Sequence, residues 1–166
     1  MSVRAVLALP HPVLMAKAFP VGAIDDEARA LAHDLLDTMR ASPACVGLAA
    51  PQIGVSRRAF VVDVTGHRKA VSCHGPFVLF DPVVVVSDAP VLAREGCMSV
   101  PDLTGDVARA TELTVTGLGI DGQRRTLRVD AFEARAVLHE IDHLDGLVVL
   151  DRVVGPHAVF PRQTYR

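Results

Sequence analysis

His139, Glu140, Asp142 and His143 stand within five consecutive positions, in the order His-Glu-Ile-Asp-His. Residues four apart share one face of a helix, so the imidazoles of His139 and His143 can meet at a common point, as two ligands of a divalent metal must. Glu140, beside the first of them, can accept a proton from a water bound to such a metal. The surrounding segment carries Ala, Leu, Val and Ile on nearly every helical face, which predicts a buried helix. The blander alternative is that two core histidines and two acids merely satisfy one another. The cost of burying imidazoles and carboxylates on an apolar helix weighs against it.

A catalytic metal needs a third protein ligand and an open position. The extended zinc-peptidase spacing would put a His at 149, where the chain has Val149, and no Glu follows Glu140. The third ligand must therefore lie upstream. Glu95-Gly96-Cys97-Met98-Ser99 offers a soft thiolate, and the glycine before Cys97 permits close backbone approach. Cys45 and Cys73 lack comparable surroundings and fall outside the expected metal shell. Three cysteines are an odd number in a chain long enough to fold without disulfide staples, which predicts a reducing, cytoplasmic setting. Residues 1–18, broken by Pro10-His11-Pro12, resemble neither a signal peptide nor a spanning helix.

These groups need elements to hold them. Ala28, Leu31, Ala32, Leu35, Leu36 and Met39 recur at helical spacing, predicting a helix over 26–39 with Asp25 as N-cap and Pro43 beyond its end. A short apolar segment, 46–51, follows. Residues 59–64 and 77–86 read as strands, the second with Pro82 at an edge or a bulge, and 67–69 reads as a loop. Segments 112–118 and 124–129 alternate around Asp121-Gly122, predicting a hairpin. The metal-binding helix is expected to start at Asp130, with Glu133 completing a capping box, and to end at Gly146. No repeat or linker divides the 166 residues, so one domain over 1–166 is expected, with a tail from about 153 containing Pro156 and Pro161.

Composition narrows the partners. Half the residues are hydrophobic and 22% are charged, the profile of a globular protein. A net charge of −2, no Trp, one Tyr and six Phe give no drive toward nucleic acid or anionic membrane.

Three segments in order, Gly47-Leu48-Ala49-Ala50-Pro51-Gln52, Glu95-Gly96-Cys97-Met98-Ser99 and His139-Glu140-Ile141-Asp142-His143, resemble the signature motifs of the peptide deformylases. The resemblance implies a monomeric α+β fold with small antiparallel sheets around the metal-binding helix. It implies one divalent metal held by Cys97, His139 and His143, typically Fe²⁺ in the cell and replaceable by Ni²⁺, Co²⁺ or Zn²⁺. The activity it implies is removal of the N-terminal formyl group from formyl-methionyl peptides, the nascent chains leaving the ribosome. In that reading Glu140 takes the proton of the metal-bound water, hydroxide attacks the formyl carbon, and Gln52 and the Met98 backbone N–H donate to the developing oxyanion.

By position in the matching motifs, Val46, Gly47, Glu95, Gly96, Phe132 and Ala136 are expected around the substrate, with Arg135 near the rim. Asp142 is expected to orient the metal shell through an ion pair with Arg109. The chain departs from the usual pattern at Cys45, where the family has Gly, at Leu138, where it has Gln, and at Asp81, where Asn-Pro is common. Substrate range is where these departures bear, so a related hydrolase acting on another N-formyl or N-acyl amine, or a binding homologue without turnover, remains the alternative.

Overall fold

Alternate residues of three strands face opposite sides of one sheet, and each side carries a helix. The computed structural model describes residues 2–163. Strands β1 (Gly47–Ala49), β2 (Ala59–Val62) and β3 (Phe77–Ser87) pair antiparallel, with Leu48 opposite Val61 and Phe60 opposite Leu79. Leu48, Val61 and Phe80 point to one face of this sheet, where they pack on Leu35 and Met39 of helix α1 (Asp26–Ala41). Ala49, Phe60, Val62 and Leu79 point to the other, onto Val137 and Leu144 of helix α2 (Ala131–Leu144). A strand covered on both faces must be apolar throughout, as Ala-Phe-Val-Val of β2 is.

The remaining strands are β4 (Pro90–Cys97), β5 (Val100–Ala110), β6 (Glu112–Leu118), β7 (Arg124–Asp130) and β8 (Val159–Pro161). One sheet runs β1-β2-β3-β6-β7 and a second runs β4-β5-β8. The predicted α+β architecture of antiparallel sheets around the histidine-bearing helix is present. So is the β6–β7 hairpin, in the register Leu118 opposite Arg124. Pro82 lies at a bulge between Phe80 and Val83, within an interior strand of its sheet.

Asp25 caps α1 by accepting the Ala28 N–H at 2.9 Å. None of the fourteen residues of α2 is exposed, as its composition predicted. Its start differs from expectation, because no capping box forms between Asp130 and Glu133. The Asp130 N–H that Glu133 would accept goes to Ser72 Oγ (2.9 Å). Glu133 instead accepts from Ser72 Oγ (2.5 Å) and the His74 N–H (2.9 Å), so both acids clamp the loop at 72–74. Since β7 runs straight into α2, Ala131 turns the chain at φ 45°, in the left-handed region.

The β4–β5 hairpin was not predicted. Pro90, Gly96, Pro101 and Gly105 punctuate it, and the outer half of β4 is exposed on both faces, so no alternation marks it. Alternation does hold at its inner end, where Glu95 and Cys97 both turn inward. The tail from 153 is fixed by β8 pairing on β5 and by a bridge between Val107 and Val153. Residues 164–166 of the expected tail lie outside the described range. Among the described residues no helix is long and apolar enough to cross a membrane.

Candidate active site

Cys97 ends β4, and His139 and His143 stand one turn apart on α2, so two elements from different parts of the chain bring three donors together. Their ligand atoms all lie within 4.8 Å of one another. His143 turns Nε2 to Cys97 Sγ at 3.2 Å. His139 places Nδ1 3.1 Å from Glu95 Oε2, which accepts its proton and leaves the other ring nitrogen for Cys97.

The electrostatics suit a cation. Burial, aided by His139 and Arg109, pushes the His143 pKa well below its ordinary value, which keeps a lone pair available. At His139 burial pulls the same way, but hydrogen bonds to Cys97 and Glu95 outweigh it and raise the pKa. One thiolate and two imidazoles form a donor set fitting Zn²⁺, Fe²⁺, Co²⁺ or Ni²⁺.

Beside Cys97 and His139 lies a cavity of about 310 Å³, whose lining includes Val46, Gly47, Gly96, Met98, Phe132 and Ala136. Glu140 faces into it, 3% exposed, with Oε2 buried and unpartnered. Burial raises its pKa to about 7, against the pull of His139 and Arg109. Gln52 is oriented by accepting the Ala49 N–H at Oε1 (2.9 Å), and its Nε2 donates to Ser99 Oγ (3.2 Å) and lies 3.7 Å from Cys97 Sγ. A base, a polar amide and a metal-ligating triad thus converge on one small volume.

Comparison with known proteins agrees with this arrangement. A family model described as polypeptide deformylase matches residues 3–158. The chain is 44% identical over 153 residues to the peptide deformylase of Desulforudis audaxviator, covering 92% of this chain and 94% of that one. The crystal structure of peptide deformylase from Ehrlichia chaffeensis superposes with a TM-score of 0.87 at 29% identity, covering 94% of this chain and 90% of that one. The same Ehrlichia enzyme in complex with actinonin gives 0.86 at 32%, covering 92% and 90%.

The chain belongs to the peptide deformylase family.

Within this deformylase fold the cavity gathers Gln52, Met98, Glu140, Val46, Gly47, Gly96, Phe132 and Ala136 as the sequence predicted. Glu95 lines the same cavity. Expected against the substrate, it spends both oxygens inside the protein, Oε1 on Arg109 (2.7 Å) and Arg135 (2.6 Å), Oε2 on Arg109 (3.0 Å) and His139. Burial pushes its pKa up, but the hydrogen bonds from His139 and Arg109 win and leave it at about 2. Arg135, expected near the rim, lines the cavity as a partly buried strut that also bonds the Val91 and Val107 carbonyls.

Asp142 pairs with Arg109 at 2.7 Å as expected. It also holds Arg152 at 2.7 Å, a partner that ten residues of sequence separation concealed. Ser99, quoted within its motif and given no role, anchors Gln52. Cys45 donates to the Gly47 carbonyl at 3.1 Å and lines the cavity mouth, its thiol pushed up to about 12 by burial and by Glu140. Leu138 packs into the core beneath β1 and β2. Asp81, at φ 48°, accepts the Val21 and Gly22 N–H groups at 2.8 Å each.

Proposed function

We propose that this chain removes the N-terminal formyl group from formyl-methionyl peptides of nascent proteins and releases formate. Cys97, His139 and His143 would hold one divalent metal, Fe²⁺ in the cell, with Ni²⁺, Co²⁺ or Zn²⁺ as substitutes. The observation that carries this reading is the buried Glu140 carboxylate, one oxygen of it unpartnered among the described residues, in the lining of a cavity it shares with Gln52 and with two of three convergent metal donors, Cys97 and His139. When bound there, the cation supplies the Lewis acidity that brings the pKa of a water toward neutrality.

Glu140 Oε2 accepts that water's proton and later returns it to the departing amine. Its pKa near 7 suits a group that must both take and give a proton near neutral pH. The Gln52 amide, held rigid by Ala49 and Ser99, and the Met98 backbone N–H donate to the oxygen on which charge develops. Val46, Phe132 and Ala136 enclose the methionine side chain. The setting proposed is a monomer in the cytoplasm, working on chains as they leave the ribosome; the free cysteines fit a reducing compartment.

Anaerobic purification, metal analysis and a formate assay on formyl-Met-Ala-Ser test this directly. One equivalent of metal and formate release are expected, as is thermal stabilisation by actinonin that chelation removes. Absence of both metal and formate overturns the reading. Formate released faster from other formyl amines would move the substrate class to the alternative, for which Cys45 at the cavity mouth is the first residue to test. Glu140→Gln should retain the metal and lose at least about a hundredfold in turnover.

A further inference from the structure

Arg162 lies beyond the residues matched by the family model, yet its side chain lines the catalytic cavity. Strand β8 brings it there. Pairing of β8 on β5 sets Thr104 opposite Phe160, and the Arg162 N–H donates to the Asp102 carbonyl at 2.8 Å. From that anchor the side chain crosses the end of β4, and one terminal nitrogen donates to the Cys97 carbonyl at 2.9 Å. Gly96 makes the crossing possible, since a Cβ there would stand 2.5 Å from the same nitrogen.

The other cations of this wall are neutralised. Arg94 pairs with Asp106 at 2.6 Å and stacks on the Phe160 ring, and Arg135 pairs with Glu95 at 2.6 Å. Among the described residues no carboxylate pairs with Arg162, whose side chain donates to a neutral carbonyl and whose Nε is buried without a partner. A guanidinium carries five N–H groups, and a partly buried one with free donors favours an anion above any neutral acceptor. Glu140, the cavity acid that has an unpaired oxygen, is committed to proton transfer in the reaction proposed above.

We infer that Arg162 is a specificity-determining residue that pairs with a carboxylate on the peptide downstream of the formylated residue, either an acidic side chain or the free C-terminal carboxylate of a short peptide. This rests on the proposed deformylation. The test compares kcat/KM at low salt for three substrates, formyl-Met-Ala-Ser amide, formyl-Met-Ala-Asp amide and formyl-Met-Ala-Ser with a free carboxylate, in the wild type, Arg162→Gln and Arg162→Lys.

The wild type should prefer at least one anionic peptide over the neutral one by about fivefold to twentyfold, expressed mainly in KM. The anionic arm that shows the preference identifies the source of the carboxylate. Arg162→Gln should bring the ratio close to one, and Arg162→Lys should keep part of it, because the charge remains while the planar fork is lost. Equal rates on all three peptides in the wild type overturn the inference. So does an Arg162→Gln variant that slows all three by one common factor, which would make Arg162 a positioning residue for the Cys97 backbone. A protein that releases no formate from any of them instead overturns the proposed function itself.

Discussion

At position 47 the absence of a side chain admits the base. A Cβ on Gly47 would stand 2.5 Å from Glu140 Oε1, and Glu140 has little room to retreat on a helix with no exposed face. Gly47→Ala should therefore keep its metal stoichiometry while kcat falls by about a hundredfold, the usual consequence of displacing a reacting group by about an ångström. Steady-state kinetics beside metal analysis reads both. Arg109 sits behind the metal ligands, bonded to Glu95 and Asp142, with each of the three side chains at most 7% exposed. Removing it takes the shared guanidinium from two buried carboxylates, leaving Glu95 to Arg135 and His139 and Asp142 to Arg152. Arg109→Ala should cost about 3–5 kcal/mol in denaturant unfolding and lower metal retention, since Glu95 orients His139. Unchanged stability and full metal content would sink the ion-pair argument.

Elements differ in how plainly the sequence announces them. Helix α1, helix α2 and the β6–β7 hairpin were legible because each has a clean period and punctuation at its ends. The β4–β5 hairpin was not, because Pro and Gly interrupt it and its outer half is wet on both sides. Cys97 at its inner end was nevertheless identifiable as a candidate, since the His-x-x-x-His pair of α2 calls for a third, soft donor whatever the periodicity. The internal ion pairs of Glu95 and the contacts of Arg152 and Arg162 were missed for one shared reason. Their roles depend on partners 10 to 65 residues away, and no local pattern encodes such pairings. The junction of β7 with α2 makes a separate prediction, as Ala131 holds a left-handed backbone that suits glycine. Ala131→Gly should stabilise by about 0.5–1 kcal/mol, the relieved strain exceeding the entropy that glycine adds to the unfolded chain. A urea midpoint that falls would show that the helix start tolerates no such freedom.

Across the whole molecule the site is a junction between separately built parts. The β1-β2-β3-β6-β7 sheet carries α2 and with it two donors, whereas the β4-β5-β8 sheet carries the third. The apolar clusters follow the same division. One packs α1 on the larger sheet, one packs α2 on its opposite face, and a smaller one gathers Cys97, Val100 and Val107 with Leu14 and Val149. A metal ion held by Cys97, His139 and His143 would tie the second sheet to the first.

That division has a signature in deuterium uptake. The amides of α2 lie beneath both sheets, so they should exchange only through global opening, whether or not a cation is bound. Strand β4 is an outer strand with one free side, and its amides should open locally and far faster. Adding the cation should slow exchange in peptides spanning residues 90–110 while leaving that of α1 nearly unchanged. Uniform slowing over the entire chain would mean that the two sheets open together and that the junction is no weaker than its parts.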